Sequence, residues 1–336
     1  MKQIWTLSLS ISALIILASP TAGAKCEPDG EVQFICGPVN PEDFAPLPDS
    51  PWVIVSSYAE DGHLYLADSR DQATQVLYPT ETTSARHDTV TYAACPGPMP
   101  TQFHPHGLYL YRGSGDTHTL LVVRHGGREA IEVFEVGMGE EMPSLTWVGC
   151  TLGPEGVDLN SVVALPEGGF AATSPQARNI WEWHSDAGWN IVPGSEGIFP
   201  NGIEISADGR SFYVGAYGDM AVVVLSRDRT PVERTPIPVG FHIDNVRQGP
   251  DGTVFAAGHI GTDRDAVRRC LRERDCAGIT SHVSQVDPQQ LTAKEVFRYP
   301  SNDYLVLGTV ATQVGDELWV GGIVDGNRIA RVPAPR

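Results

Sequence analysis

The chain has 336 residues, and 41 acidic against 23 basic side chains give it a formal net charge of −18. A surface this acidic repels phosphate backbones, which argues against a nucleic acid as a partner. The contents of Gly (35) and Pro (26) indicate many tight turns rather than long helices.

The N-terminus has the pattern of a secretory signal peptide. Lys2 precedes the apolar run LSISALIILASP, and the small residues Ala22 and Ala24 follow it. The run is too short and wrongly flanked for a membrane anchor. We expect cleavage after Ala24 and a secreted or periplasmic protein. The chain then divides into a signal peptide, an N-terminal segment and one domain, at residues 1–24, 25–40 and 41–336.

Six cysteines fit an oxidising compartment, in which they can form disulfide bonds. The sequence contains no C-x2-C pair, which argues against a zinc site made of these thiolates. Several pairings remain open for six cysteines. Joining the nearest in sequence first would give Cys26–Cys36, Cys270–Cys276 and then Cys95–Cys150.

Short β-type runs follow turn signals six times along the chain: PDSPWVIVSS, GSGDTHTLLVV, PEGGFAATS, ADGRSFYVGA, PDGTVFAAG and VGDELWVGG. Turns followed by aromatic and β-branched residues are typical of hairpins. The turn acids Glu167, Asp208 and Asp251 lie 41 and 43 residues apart. Such spacing is typical of four-stranded propeller blades. The sequence therefore predicts an all-β fold, a six-bladed β-propeller.

A polar residue lies at a fixed position in each repeat, at the start of the strand before the turn. In five repeats it stands seven residues before the turn acid, and the repeat with a longer turn has a histidine at the comparable place. Because the innermost strands of a propeller line its central channel, these side chains should meet at one end of that channel. The six residues are Glu42, His106, Asn160, Asn201, Asp244 and Thr309.

Most of these residues, with the adjacent Asn245, carry hard oxygen donors. Mixed carboxylates and amides suit calcium, which takes six to eight oxygens in flexible geometry. Two carboxylates would leave the ion a Lewis acid for a bound carbonyl. Asn-Gly at 201–202 and Asp-Asn at 244–245 are also common turn pairs, so a purely structural role is the alternative. The predicted ligands are Glu42, Asn160, Asn201, Asp244 and Asn245.

The stretch QFHPHGLYLYRG contains two histidines, His104 and His106. A zinc H-x-H site is one reading, but no further His or Asp follows closely in the sequence. A general base fits better, and His125 at the end of the next strand could lie behind His106 and orient it. The alternative is a solvent-facing or capping histidine, and His104 has no assigned role. No G-x-S-x-G occurs in the chain, which excludes the usual serine hydrolase elbow.

With these motifs in order, the sequence resembles the paraoxonase family of calcium-dependent lactonases and arylesterases. The resemblance rests on PEDFAPLPDSPWVIVSS, FHPHGLYLY, LLVVRHGGREAIEVFEV, DLNSVVALPEGGF, FPNGIEISADGRSFYV, IDNVRQGPDGTVFAAGH and VLGTVATQVGDELWVGG. It implies a hydrolase of lactones or aryl esters, with the ligands above holding a catalytic calcium ion. It also implies that His106 activates water with His125 as its partner. Its substrate pocket would include His259, Phe199 and Thr309.

Three features depart from that family. Its second, structural calcium ion uses an Asp after the calcium Glu and another after the calcium Asn; Asp43 is present here, but Ser161 stands at the other position. The family's disulfide between the chain ends has no counterpart, because Cys276 is the last cysteine, so strand pairing must close the propeller. No retained apolar N-terminal helix is evident, so membrane attachment is not expected.

The segment TDRDAVRRCLRERDCAG, at 262–278, is an insertion relative to that family. Its pattern predicts a short amphipathic helix with an Asp265–Arg269 pair at i,i+4. Because it closely follows His259, it could lie at the pocket mouth; a disulfide-pinned surface loop is the alternative. The competing functions are a gluconolactonase-like or strictosidine-synthase-like propeller enzyme, and a calcium-stabilised propeller that only binds a ligand or protein. The oligomeric state stays open.

Overall fold

The structure is a computed structural model, and it describes residues 27–113, 115–139 and 141–335. The predicted signal peptide and Cys26 lie outside the described residues, so the predicted Cys26–Cys36 pair does too. The described chain is almost entirely β-strand and turn. Its strands form six antiparallel sheets of four strands, one of which gains a short fifth strand.

The first three sheets follow the chain from the inner strand outwards. The first contains β2 (Pro41–Pro46), β3 (Trp52–Ser57), β4 (Leu64–Asp68) and β5 (Thr74–Tyr78). The second contains β7 (His104–Tyr111), β8 (Thr117–His125), β9 (Ala130–Gly137) and β10 (Ser144–Leu152), and β6 (Ser84–Ala85) adds to β10 in parallel. The third contains β11 (Val162–Ala164), β12 (Phe170–Ser174), β13 (Asn179–His184) and β14 (Gly188–Ile191).

The remaining sheets repeat the arrangement. The fourth contains β15 (Pro200–Ile205), β16 (Ser211–Ala216), β17 (Ala221–Ser226) and β18 (Arg234–Pro238). The fifth contains β19 (His242–Gln248), β20 (Val254–Gly261), β21 (Ile279–Asp287) and β22 (Thr292–Pro300), with helix α1 (Ala266–Glu273) between its second and third strands and a 3-10 turn (Pro250–Gly252) after its first. The sixth contains β23 (Gly308–Val314), β24 (Glu317–Gly322), β25 (Arg328–Pro333) and β1 (Gln33–Cys36).

The inner strands of the six sheets contact one another in a closed ring. In order around the ring they are β2, β7, β11, β15, β19 and β23, and β23 returns to β2. A ring of four-stranded antiparallel sheets around a common axis is a six-bladed β-propeller. The predicted fold is confirmed.

The ring is closed by strand pairing between the two ends of the chain. Strand β1, which comes from the segment before residue 41, pairs antiparallel with β25 and forms the outer strand of the sixth blade. Phe34 on this strand is buried with Phe255 and Leu318, so the closing strand also carries core contacts. Closure through backbone hydrogen bonds agrees with the absence of a cysteine near the C-terminus in the sequence.

Each blade is packed between two neighbours, which explains why its strands read as continuous apolar runs. On β3, Ile54 belongs to the core shared with the second blade, whereas Val53 and Val55 face the sixth blade. Alternating side chains point to opposite faces of a strand, so both faces are buried here. Each such side chain contributes about 1.5–3 kcal/mol through burial.

Two disulfides are present in the described chain. Cys95–Cys150 joins the long connection after β6 to strand β10, and Cys270–Cys276 ties the end of α1 to the next loop. Both pairs match the sequence prediction, and they are compatible with an extracellular location. No helix among the described residues is long and apolar enough to cross a membrane.

The insertion forms helix α1, as its pattern predicts. The helix ends at Arg274, whose left-handed conformation (φ 60°) lets its N–H donate to the carbonyl of Cys270. Its ion pairs differ from the expectation: Arg269 pairs with Asp263 at 2.9 Å, and Asp265 pairs with Arg268 at 3.3 Å, in place of the expected Asp265–Arg269 pair. The residue before the helix thus binds its charge partner one position earlier than the i,i+4 rule predicts.

Candidate functional site

The inner strands carry a register irregularity at the place where the sequence put the polar residues. It occurs in β2, β7, β15, β19 and β23. A bulge bends its strand and redirects a side chain, and such bulges are frequent next to active sites. The irregularities contain or adjoin Glu42, His106, Asn201, Asp244, Asn245 and Thr309.

Two glycines allow the inner strands to approach one another at this level. A Cβ on Gly202 would lie 2.5 Å from the backbone nitrogen of Val246 and 2.6 Å from Cα of Asn245. A Cβ on Gly107 would lie 2.6 Å from the carbonyl oxygen of Asn160. The Asn-Gly and His-Gly pairs in the sequence therefore reflect close backbone contact between blades.

The predicted ligands form one connected cluster around Glu42. The side-chain Nδ2 of Asn245 donates to Oε1 of Glu42 at 2.6 Å. His106 brings its Nε2 to 3.7 Å from the same oxygen, and Nδ2 of Asn160 lies 3.4 Å from that nitrogen. The side chain of Asn201 hydrogen-bonds to Asp244, whose charge acts on Glu42.

Three oxygens of this cluster are buried without a hydrogen-bond partner. They are Oε2 of Glu42, Oδ1 of Asn201 and Oδ1 of Asn245. A buried polar atom without a partner is costly and rare, so three together indicate that a ligand satisfies them. All three are acceptors, which a cation suits and an anion does not.

The charges of the cluster also favour a bound cation. Burial, then the charges of Asp43 and Asp244, raises the pKa of Glu42 well above its ordinary value. Burial, then the charge of Asp43, raises the pKa of Asp244 to about 7. The buried guanidinium of Arg247 is ion-paired with Asp43, and it also interacts electrostatically with the buried Glu204. Because Arg247 is paired with Asp43, ionised Glu42 and Asp244 add two negative charges to the cluster, which is the charge that a divalent cation supplies.

The oxygen set distinguishes this cluster from a typical transition-metal site. Among the described residues, no group of three or more His, Cys, Asp or Glu side chains is arranged to hold a metal ion. The candidate donors are instead two carboxylates and three amides. Amide and carboxylate oxygens in flexible number fit a hard cation of the calcium kind, so the residues present fit the ion that the sequence suggested.

Asp43, the candidate for a second ion, has both carboxylate oxygens paired within the protein. Oδ1 accepts from the Nε of Arg247 at 2.9 Å and from the N–H of Phe44 at 2.8 Å. Oδ2 accepts from a second nitrogen of Arg247 and from the N–H of Leu108 at 2.6 Å. A second ion here stays a prediction, and it would have to compete with this buried ion pair.

His106 belongs to a chain of hydrogen bonds that leads from the cluster to a carboxylate. Its Nδ1 lies 2.9 Å from Nε2 of His125, and Nδ1 of His125 lies 2.7 Å from Oε2 of Glu129. If Nδ1 of His125 carries the proton given to Glu129, its Nε2 accepts from Nδ1 of His106. That assignment leaves the lone pair of His106 Nε2 facing the cluster.

The surroundings of His106 keep it neutral. Burial, then the charges of His125 and His104, lowers the pKa of His106 well below its ordinary value. The ring of Tyr58 packs against both His104 and His106, with centroids 4.5 Å away. The pKa of His104 is lowered to about 4, chiefly by burial. A neutral imidazole next to a water-accessible cavity is able to accept a proton.

Two cavities meet the cluster from different sides. One of about 400 Å³ is lined by the three histidines above and by Tyr58, Glu129 and Asn160. The other, of about 270 Å³, is lined by Asn201 and Asp244 and by mostly hydrocarbon side chains. The cluster is therefore reachable from a polar, imidazole-lined side and from an apolar side.

The three predicted pocket residues have different surroundings. Phe199 and His259 line the apolar cavity. The pKa of His259 is lowered to about 4, chiefly by burial, and its ring nitrogens meet the hydroxyl of Tyr217 and the carbonyl of Gly308, each at 3.1 Å. Thr309 is fully buried, and its hydroxyl donates to the backbone carbonyl of Glu42 at 2.8 Å, so it supports the cluster.

Three residues of the site were absent from the sequence prediction. Glu129 stands four residues after His125 across a Gly-Gly turn, so the spacing could have suggested it. Tyr58 follows a strand end with no motif of its own. Arg247 lies two residues after Asn245 on an inner strand, where a basic residue in a buried run is the only signal.

No known family profile matches the sequence, and no curated protein matches it. Among solved structures, it is similar to a gluconolactonase from Xanthomonas campestris, with 13% identity over 91% of each chain and a TM-score of 0.57. A second structure, a putative gluconolactonase, shows 16% identity over 92% of this chain and 94% of its own, with a TM-score of 0.58.

A third similar structure is a luciferin-regenerating enzyme, with 11% identity over 90% of this chain and 95% of its own, and a TM-score of 0.56. Likeness at such low identity establishes the fold alone. Membership of the paraoxonase family stays a prediction. The comparisons show that the chain has the fold of gluconolactonase-like propeller enzymes.

Proposed function

We propose that this protein is an exported, calcium-dependent hydrolase of lactones and aryl esters. The observation that carries the proposal is the hydrogen-bond chain Glu129–His125–His106, which ends beside a cluster of unpartnered buried oxygens. A base that activates water and a cation site that stabilises the oxyanion are together sufficient parts for hydrolysis of an ester carbonyl. Export is supported by the N-terminal sequence pattern and by the two disulfides.

The ion would be held by Glu42, Asn160, Asn201, Asp244 and Asn245. When bound, calcium supplies a Lewis acid that polarises the substrate carbonyl and stabilises negative charge on its oxygen. The protein's own groups provide the nucleophile. Water enters through the imidazole-lined cavity, and Nε2 of His106 accepts its proton as the oxygen bonds to the carbonyl carbon. The tetrahedral adduct then breaks its C–O bond to the ester or ring oxygen, and the proton held by the histidine pair returns to that oxygen.

The rest of the hydrogen-bond chain moves the resulting positive charge away from the buried ring of His106. Burial disfavours a positive charge on His106, as its lowered pKa shows. Transfer of the Nδ1 proton of His106 to Nε2 of His125 moves the charge to the ring that contacts Glu129. The Glu129 carboxylate stabilises that imidazolium, and it also accepts from the N–H of Leu159 at 2.7 Å, which fixes its orientation.

The proposal is tested by assaying the purified protein on a panel of lactones and on phenyl acetate. The assay is repeated after chelation and after the return of calcium, and with Asp244→Ala and His106→Gln. We expect turnover that is lost on chelation and restored by calcium. His106→Gln should lower kcat by about 10²- to 10⁴-fold, the usual contribution of a general base.

His184→Gln is the matched control, because His184 also pairs with a carboxylate, that of Glu182, at 2.8 Å but on the third blade. Its kcat should equal that of the wild type. Absence of turnover on every substrate would favour a propeller that only binds a ligand. Activity that survives both chelation and Asp244→Ala would contradict the role of the ion, and full activity in His106→Gln would remove the base assignment.

A further inference from the structure

Helix α1 lies beside the apolar cavity and is fixed to the propeller on one face. Ala266 and Cys270 on that face are fully buried, and they pack with Leu307 and Val324 from the sixth blade. The Cys270–Cys276 disulfide holds the end of the helix. The helix is therefore positioned by core contacts and a covalent link, unlike a free surface loop.

The next face of the helix is turned to the cavity. Val267 and Leu271, each one position after a buried residue, line the 270 Å³ space. Leu271 keeps 47% of its surface exposed, although the chain around it is strongly charged. Residues at i and i+4 share a helix face, so the two side chains form one continuous hydrocarbon wall.

The cavity has one polar side and little other polarity. Asn201 and Asp244 belong to the oxygen cluster, and five of the nine lining residues have wholly hydrocarbon or phenyl side chains. These five are Phe199, Val267, Leu271, Leu307 and Ile323. An apolar cavity of about 150 Å³ holds a benzene molecule, so this one has room for a phenyl ring or a medium alkyl chain.

We propose that helix α1 is the specificity wall of this enzyme, and that Val267 and Leu271 bind a hydrocarbon substituent on the lactone or ester. This inference rests on the proposed function, since it places the substrate carbonyl at the oxygen cluster. It goes further by assigning the binding site of the substituent to two residues of the 262–278 insertion, where an alkyl or aryl group fits better than the hydroxyl groups of a sugar lactone. Sugar hydroxyls buried against this wall would lose their hydrogen bonds to water without replacement.

The test uses γ-butyrolactones with alkyl substituents of increasing length and measures kcat/KM for each. In the wild type, kcat/KM should rise by up to about fourfold per added methylene, the effect of burying one CH2, and then level off when the cavity is full. Leu271→Ala should flatten the rise. Leu271→Trp, which fills the space, should move the levelling point to shorter chains.

Leu291→Ala is the matched control, because Leu291 is an equally exposed leucine (50%) in the β21–β22 hairpin. It should reproduce the wild-type dependence on chain length. Glucono-δ-lactone should be hydrolysed with a kcat/KM about 100-fold or more below that of the best alkyl lactone. Turnover that ignores chain length, or that ranks glucono-δ-lactone first, would overturn the inference and leave the proposed hydrolase intact.

A binding measurement separates failure of the inference from failure of the proposed function. 2-Alkylcyclopentanones resemble alkyl lactones but cannot be hydrolysed, so calorimetry reads their affinity whether or not the protein turns over any lactone. Their Kd should fall with chain length in the wild type and in Leu291→Ala, and much less in Leu271→Ala. An equal Kd for all members of the series, or a chain-length dependence that Leu271→Ala leaves unchanged, would overturn the inference that Val267 and Leu271 bind the substituent.

Discussion

Glu42 and Asp43 are adjacent on the innermost strand of the first blade, both are buried, and their surroundings differ sharply. Glu42 accepts one hydrogen bond from Asn245 and has an unpartnered oxygen. Asp43 accepts from Arg247 and from two backbone amides, so neither oxygen lacks a partner. Two adjacent buried carboxylates are thus balanced in different ways: Asp43 is paired with a cation of the protein, whereas Glu42 has an oxygen free to bind an external cation.

The strand geometry explains why two successive carboxylates reach different partners. Successive residues of a strand point to opposite sides, and the register irregularity between Pro41 and Asp43 separates the two carboxylates further. Arg247 also donates to the carbonyls of Leu108 and Val246, at 3.0 and 2.8 Å, so it joins inner strands of different blades. The contacts of Asp43 therefore hold the ring together, whereas Glu42 is left for the proposed calcium ion.

The largest effect should come from breaking the internal pair. Asp43→Asn removes the carboxylate that is ion-paired and hydrogen-bonded to the buried guanidinium of Arg247, which should destabilise the fold by about 3–5 kcal/mol. Denaturant unfolding of the chelated protein measures it. Asp49→Asn, which breaks the exposed Asp49–Arg112 pair, is the control and should cost less than about 1 kcal/mol. Equal, small losses in both variants would contradict the structural role of Asp43.

Removal of the Glu42 carboxylate should weaken calcium binding without destabilising the fold. Glu42→Gln keeps the size of the side chain but removes a charged ligand, so calcium affinity should fall by about 100-fold. The chelated variant should be at least as stable as the chelated wild type at pH 8, because a buried negative charge is gone. Calorimetry and unfolding at the same pH check both parts, and unchanged affinity would separate Glu42 from the ion.

The pH dependence of ion binding follows from the same carboxylates. The pKa of Asp244 is raised to about 7 and that of Glu42 is raised well above its ordinary value, so both bind protons as the pH falls. Calcium must displace those protons. Its affinity should therefore drop by between about tenfold and a hundredfold from pH 7 to pH 6. Titrations in buffers of different ionisation enthalpy would also show proton release, and a pH-independent affinity would count against the cluster.

The smallest effect should come from the far end of the histidine chain. Glu129→Gln weakens the stabilisation of a charge on His125 and should lower kcat by about tenfold, less than loss of the base itself. Calcium affinity should not change, because Glu129 does not contact the oxygen cluster. Glu182→Gln, in the matched His184 pair, should leave kcat unaltered. A lower calcium affinity in Glu129→Gln would show that the two regions are not separate.

The fold could be predicted from the sequence because each blade repeats one local pattern. Hairpin turns precede apolar runs, and the polar residue seven positions before the turn marks the inner strand. The same position in the repeat also identified Glu42, Asn201 and Asp244, because corresponding residues of the six blades meet at the channel. Thr309 shows the limit of the pattern. It occupies the same position in its repeat, but its hydroxyl donates to the backbone carbonyl of Glu42 instead of facing the pocket.

Interactions between distant parts of the chain were not predictable in the same way. Asp43 and Arg247 are separated by 204 residues, and no local pattern records that they pair. The partner of Arg269 depends on how the loop before α1 folds back, which the i,i+4 rule does not include. The sequence predicted the apolar face of α1 and left its position open between the pocket mouth and a surface loop, and the packing of Cys270 against the sixth blade decides which side chains line the cavity.

The most direct test of the account is a titration of lactone hydrolysis with calcium. Chelated protein, at a concentration well above the Kd for the ion, receives calcium in fractions of one equivalent, and the rate is measured after each addition. We expect a rate that rises linearly and stops rising at one ion per chain, with no such break in Glu42→Gln. A full rate before any calcium is added, or a break at two ions per chain, would contradict it.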